Sequence, residues 1–278
     1  MKFLVTGGKG QLGADLVREL ERRGLACRGV DIDDFDITDE TAARAYVADY
    51  APAAVFHCAA YTAVDKAEDD AKLCRAVNAD GARYVARACA AAGAKIIYIS
   101  TDYVFPGQGE NFYETDDRTG PLNVYGRSKL EGETAVRAET EQSFITRISW
   151  AFGASGQNFV KTMLRLGGER EEISVVTDQV GSPTYTADLA PLLCDMATTE
   201  KYGVYHASNE GICSWYEFAV AIMEEAGLPA RIKPTLTSEY PTKAARPQNS
   251  RLSKKSLAQA GFACLPHWRD ALRRYLRS

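Results

Sequence analysis

The 278-residue chain lacks several things, and each absence closes off a class of function. It has only three histidines, His57, His206 and His267, too far apart to suggest a metal centre. Its seven cysteines (Cys27, Cys58, Cys74, Cys89, Cys194, Cys213, Cys264) include no CxxC pair. An odd, scattered set argues against a disulfide scaffold and suits free thiols in a reducing cytoplasm. Positive charge is not in excess either, with 33 Lys plus Arg against 37 Asp plus Glu and a net charge of −4. That balance disfavours a nucleic-acid polymer as partner, while a small anion needs only local charge and oriented N–H groups. The longest uncharged stretch, Tyr50 to Val64, is broken by Pro52 and His57 and is shorter than a membrane span. The run from Met1 to Thr6 is too short for the apolar segment of a signal peptide. A cytoplasmic chain without a membrane partner is the expectation.

What remains is an ordinary globular composition, 46% hydrophobic and 25% charged. Its first half alternates short β-branched runs with helical segments, the pattern of a parallel sheet covered by helices. Strands are expected at 2–6, 25–30, 53–57, 95–100 and 143–148, and helices at 11–23, 39–50, 74–92 and 123–140. This predicts a doubly wound α/β Rossmann fold. After Trp150 the rhythm changes, with helices expected at 158–166 and 187–197 and strands at 173–176 and 203–207. The tail carries Pro229, Pro234, Pro241 and Pro247, a density that argues for loops. We therefore expect residues 1–150, with about 177–207, to form a dinucleotide-binding domain. Residues 151–176 and 208–278 would form a smaller, discontinuous C-terminal substrate-binding lobe.

The segment Thr6-Gly7-Gly8-Lys9-Gly10-Gln11-Leu12-Gly13 joins the first strand to the first helix with the spacing GxxGxxG at Gly7, Gly10 and Gly13. Glycines there let a pyrophosphate approach backbone N–H groups at a helix N-terminus. Asp31 follows Gly10 by 21 residues, at the end of the second strand. A carboxylate in that place accepts hydrogen bonds from the adenosine ribose and repels a 2′-phosphate, which favours NADH over NADPH. Lys9 and Arg28 stand close enough in sequence to assist a phosphate, so both cofactors stay open. Tyr125 and Lys129 form a YxxxK pair whose members share one helix face. A phenol titrates near ~10, and a neighbouring cation is expected to lower that value and ready it for proton transfer. The fourth strand runs into Ser100-Thr101-Asp102, which sets the Thr101 hydroxyl at the carboxyl edge where ligands of such sheets bind. Other residues invite plainer readings. His57, Cys58 and Cys89 read as core, Trp215 and Trp268 as core of the smaller lobe, and Asp65, Glu68, Asp69 and Asp70 as a solvated helix face.

Taken together, TGGKGQLG (6–13), AAYTAVDKAE (59–68), STDYVF (100–105), YGRSK (125–129), ISWAFG (148–153), GSPT (181–184) and RPQNSRL (246–252) resemble the dTDP-4-dehydrorhamnose reductases, a family of extended short-chain dehydrogenase/reductases. The resemblance covers essentially the whole chain. It implies an NAD(P)H-dependent reduction of a dTDP-linked 4-keto-6-deoxy sugar, with Thr101, Tyr125 and Lys129 as the catalytic set. It further implies Gly10, Gln11 and Leu12 at the pyrophosphate, Asp31 at the ribose, and Asp36 and Ile37 at the adenine. Ala60, Tyr61 and Thr62 would border the cofactor, and Asp102 and Tyr103 would lie near the sugar. Trp150 would pack on the deoxysugar, and Asn158, Phe159 and Arg246 would meet the nucleotide. Pro106 departs from the family, which commonly has Asp there. A reductase of another nucleotide-linked 4-ketosugar and a non-catalytic regulatory subunit of the same fold are the alternatives, and a homodimer is left open.

Overall fold

The computed structural model describes residues 1–278. Its centre is a six-stranded sheet built from β1 (Lys2–Thr6), β2 (Ala26–Val30), β3 (Ala54–His57), β4 (Lys95–Thr101), β5 (Ser143–Ile148) and the strand Gly203–His206. The spatial order is β2-β1-β3-β4-β5-(203–206), and every neighbouring pair is parallel. The chain first builds outward from β1 to β2, then crosses back to β3. This reversal opens a crevice at the carboxyl ends of β1 and β3, where ligands of doubly wound sheets settle.

A parallel sheet needs cover on both faces, so its strands are apolar nearly throughout. Alternation along each strand then divides the residues between two cores. Phe3, Val5, Phe56, Ile97 and Phe144 face α1 (Gln11–Arg22) and the helix Thr186–Ala197, meeting Leu12, Leu16, Leu20, Leu189 and Leu193. Leu4, Val55, Ile96 and Ile145 face the other way, onto α2 (Glu40–Tyr50) and the helices Ala82–Ala92 and Val124–Glu139. The boundaries read from the sequence lie within a few residues of these. One difference is substantive: the helix expected at 74–92 begins at Ala71 and passes through a π-helical turn at Ala76–Gly81. Such turns are frequently found at functional sites, and this one sets Asn78 against the Tyr61 backbone and the Ser128 hydroxyl.

A third apolar core gathers Phe152, Val160, Phe218, Ile222, Trp268, Leu272 and Tyr275 between the helices Phe159–Glu169, Trp215–Ala226 and Trp268–Leu276. The proline-rich tail is not all loop. Arg231–Thr235 pairs in parallel with Glu172–Val176, with Pro234 opposite Val175. The ribbon has only two strands, so each has an open side where a missing N–H costs no ladder bond. Val180–Gly181 pairs with both Cys213–Ser214 and Asn249–Ser250, which brings the buried Ser250 onto Asp102. No helix is long and apolar enough to cross a membrane.

Candidate active site

The glycine loop is shaped by close backbone approach. Gly7 has φ +67°, and a Cβ there would lie 2.8 Å from the Ala59 nitrogen. A Cβ on Gly13 would fall on the Gly7 carbonyl, so the loop closes on the first turn of α1 only without side chains. Gly10 is the N-cap of α1 and offers no side-chain cap, which leaves the N-terminal N–H groups free for an anion. The Lys9 backbone N–H donates to Asp31 Oδ2 at 2.9 Å, fixing that carboxylate at the end of β2. Lys9 Nζ meets Asp33 Oδ2 at 2.6 Å, and each partner favours the charged form of the other, on the exposed rim.

From this loop an open cleft of about 730 Å³ runs along the sheet edge. It is lined by Gly7, Gly10, Gln11, Leu12, Gly13, Asp31, Asp36, Ile37, Ala60, Thr62, Thr101, Asp102, Tyr103, Tyr125, Lys129 and Trp150, so residues spread over 144 positions share one wall. Four expected residues do not line it. Tyr61 turns its hydroxyl to Asp70 Oδ2 at 3.0 Å, and its backbone is clasped by the Asn78 amide. Asn158 caps the helix Phe159–Glu169, accepting from the Lys161 N–H, and donates to Gln11 Oε1 at 3.0 Å. Phe159 packs on Trp215 with ring centroids 4.5 Å apart. Arg246 donates to both oxygens of Asp65, at 3.0 and 2.7 Å, and this pairing holds the Asp65 carboxyl down at about 2.

Tyr125 sits in the first turn of the helix Val124–Glu139, which Asn123 caps by accepting from the Gly126 N–H at 2.8 Å. Gly126 lets this turn press on the Tyr103 carbonyl, where any Cβ would collide. Thr101, 5% exposed, ends β4, and its hydroxyl donates to Asp102 Oδ1 at 3.0 Å while accepting from the Tyr103 N–H. Asp102 is buried and also accepts from the Ser250 hydroxyl; burial pushes its carboxyl up to about 6. Lys129 follows Tyr125 by one turn and stands over the Tyr98 ring, its Nζ 4.1 Å from the centroid. Burial lowers its ammonium to about 7.

The expected cation-driven fall in the Tyr125 phenol is not what the geometry gives. Burial drives the phenol up, the nearby Thr101 hydroxyl pulls the other way, and Asp102 adds to the rise. A buried phenolate lacks hydration, and this outweighs any help from Lys129. The phenol therefore keeps its proton, which suits a donor.

Other plain readings also change. Trp215 packs beside the core of the smaller lobe as expected, but it also reaches the cleft and stacks on Trp150, with centroids 3.8 Å apart and planes at 16°. Trp150 carries φ +50°, a strained value for a bulky residue, which turns its indole towards the opening. The acids at 65–70 are not merely solvated: Asp65 takes Arg246, Glu68 accepts from the Val124 N–H at 2.8 Å, and Asp69 pairs with Lys243. His57 is core, sharing a 2.8 Å hydrogen bond with Thr6 Oγ1, and burial depresses it to about 3. Cys89 is buried as expected, whereas Cys58 is half-buried in the cleft wall. Asn78 and Trp215 have no motif around them to mark them, and Ser250, though inside RPQNSRL, gives no local sign that it reaches Asp102.

A parallel sheet with a glycine-loop helix N-terminus, an acid after β2 and a Thr/Tyr/Lys set defines a nicotinamide-dependent oxidoreductase of the short-chain dehydrogenase/reductase type. Comparison with known proteins narrows this. The family described as the RmlD substrate binding domain matches residues 1–278. A dTDP-4-dehydrorhamnose reductase from Streptomyces griseus is 44% identical over 98% of this chain and 91% of its own length. The spore coat polysaccharide biosynthesis protein SpsK of Bacillus subtilis is also 44% identical, over 99% of this chain and 97% of its own. The crystal structure of a dTDP-4-dehydrorhamnose reductase from Bacillus anthracis in complex with NADP superimposes with a TM-score of 0.97 at 44% identity, covering 99% and 98% of the two chains. The chain belongs to the RmlD family of dTDP-4-dehydrorhamnose reductases.

Proposed function

We propose that this protein reduces the C4 ketone of dTDP-4-dehydro-L-rhamnose to dTDP-L-rhamnose, with NADH or NADPH as reductant. Bound dihydronicotinamide supplies the hydride for the carbonyl carbon. The chain's own residues do the rest. Gly10, Gln11 and Leu12 receive the cofactor's pyrophosphate at the N-terminus of α1, and Asp31 receives its adenosine ribose. Tyr125 gives its phenolic proton to the carbonyl oxygen as negative charge develops there. The buried environment that raises the phenol keeps this proton in place until the oxygen becomes more basic than the phenolate. Thr101 holds the same oxygen, and Lys129 holds the nicotinamide ribose and favours proton release from Tyr125. Trp150 and Trp215 present an indole pair to the 6-deoxy face of the sugar, where a methyl group meets an aromatic wall. The sheet-bearing part would carry the cofactor and the lobe built on the third core the sugar nucleotide.

The observation that carries this reading is the convergence of Thr101, Tyr125 and Lys129 in the cleft that begins at the glycine loop. The test is oxidation of NADH or NADPH in the presence of the ketosugar nucleotide, with the product identified by NMR. Tyr125→Phe should lower kcat by about 10²–10⁴-fold while cofactor binding persists. Turnover equal to wild type would remove the role given to Tyr125, and a different C4 isomer in the NMR spectrum would redirect the substrate assignment.

A further inference from the structure

Four residues beyond Lys129 on the same helix, Glu133 is fully buried, an unusual setting for a carboxylate. Its Oε1 accepts from the Ser100 hydroxyl at 2.5 Å and from Arg147 Nε at 2.9 Å. Its Oε2 accepts from Arg147 Nη2 at 2.8 Å. Arg147, on β5, is itself buried; it donates to the Thr115 carbonyl oxygen at 3.0 Å and stacks on Phe105. One carboxylate thus ties together the helix that carries Tyr125 and Lys129, the residue before Thr101, and β5. A brace needs no charge for that, and a buried ion pair is often no more stable than an apolar replacement. Its charge asks for another reason.

We propose that Glu133 is a positioning residue for the reaction, its buried charge keeping the Lys129 ammonium protonated while its hydrogen bonds hold the Thr101 end of β4 to the catalytic helix. This rests on the reading of Tyr125 and Lys129 given above.

The surroundings of Lys129 single out Glu133. Around Lys129 stand Glu133 from its own helix, His57 and Cys58 from the end of β3, Cys74 from the helix Ala71–Arg75 and Tyr98 from β4, with Tyr125 one turn earlier along the same cleft. His57 is held neutral, and burial pushes the Cys58 thiol up to about 12, so neither carries charge at neutral pH. Glu133 is the one carboxylate in the set. Lys129 makes no direct ion pair, so the influence acts through space in a dry interior, where charges are poorly screened. Arg147 supplies the countercharge that makes burying Glu133 tolerable. Without Glu133, burial of the ammonium is opposed by no formal negative charge.

The test compares Glu133→Gln with Glu133→Asp and wild type. Lysine labelled at the ε-carbon is titrated by NMR, the Lys129 signal being assigned by its loss in Lys129→Met. In Glu133→Gln the Lys129 midpoint should fall by about one pH unit or more, and in Glu133→Asp it should return towards wild type. The alkaline fall of kcat/KM should move by the same amount and in the same direction. A Lys129 midpoint unchanged in Glu133→Gln, with only a lower melting temperature, would make Glu133 a structural brace and overturn the proposal. Should Glu133→Gln not fold, Glu133→Asp decides: the carboxylate drawn back by one methylene should lower the Lys129 midpoint measurably, and a midpoint identical to wild type with only a lower melting temperature overturns the proposal. The NMR titration needs no turnover, so a wild-type protein inactive on the ketosugar would count against the functional reading alone.

Discussion

At the scale of single residues, Asp31 stands where one carboxylate would bear on the choice between NADH and NADPH. It is fixed by the Lys9 backbone N–H rather than by a side-chain cation. Of the two cations that could have met a 2′-phosphate, the Lys9 ammonium is engaged by Asp33 and Arg28 stands over the Tyr50 ring. Both features argue for NADH, yet a relative of 44% identity binds NADP, so the exclusion is partial. Replacing the acid with a neutral side chain should therefore shift the balance without abolishing activity. Asp31→Ser is expected to change the ratio of kcat/KM for NADPH over NADH by about tenfold in favour of NADPH, read by steady-state kinetics with both cofactors. The exposed Lys9–Asp33 pair itself adds little stability, as solvated pairs do.

At the scale of elements, the site is assembled by close approaches that only glycine permits. The loop before α1 closes on the Gly7 carbonyl at Gly13, and the catalytic helix closes on the Tyr103 carbonyl at Gly126. A side chain at either place moves backbone, not a neighbouring side chain, and overpacking of that kind costs about 1–3 kcal/mol. Gly13→Ala should therefore weaken cofactor affinity more than it weakens the fold, because the displaced groups are the N–H donors of the loop. Calorimetric titration with NADPH beside a urea melt measures both. Asn123, which caps the catalytic helix and donates to the Ala245 carbonyl oxygen at 2.7 Å, ties that helix to the C-terminal segment. Asn123→Ala should lower the unfolding free energy by about 1 kcal/mol through the lost cap. It should also raise the KM for the sugar nucleotide, which urea melts and kinetics resolve separately.

Across the whole molecule, the response to acid follows from what the two sheet-flanking cores bury. His57 and His206 are both held near 3, against 6.5 when free, chiefly by burial. Between those values the unfolded chain binds more protons, so stability is fully present above about pH 6.5 and is lost as pH falls towards 3. Asp102 acts with the opposite sign: its carboxyl is raised to about 6, so between about 4 and 6 the folded state binds the extra proton and gains as pH falls. Two histidines against one acid leave a net loss of about 1.4 kcal/mol per pH unit over that window. Urea midpoints measured from pH 7 to pH 5 should fall, and His206→Gln should flatten the curve. A flat wild-type profile would contradict the burial of both rings. The C-terminal segment bears on the site at this same scale, through Ser250 on Asp102 and through Arg246 and Lys243 on the acids at 65–69.

The alternation of apolar runs and helical faces was enough to place the strands and helices of the sheet. Those signals are local: period, capping residue and glycine spacing are all read within a dozen positions. The glycine loop, Asp31, Thr101 and the Tyr125–Lys129 pair were legible for the same reason, since each sits at a strand end or on one helix face. Tertiary structure alone decided the rest. Trp215 is an unremarkable indole in the chain and a cleft wall in space, because it stacks on Trp150 from 65 residues away. Arg246 looks like a free cation until Asp65 takes it, and Pro234 looks like a loop residue until its ribbon leaves one side open. Tyr125 looked like a phenol ready to ionise beside a cation, and became a retained proton once burial was known. Contacts between distant segments and the loss of water around a charge have no local signature, so they appear only when the chain is folded.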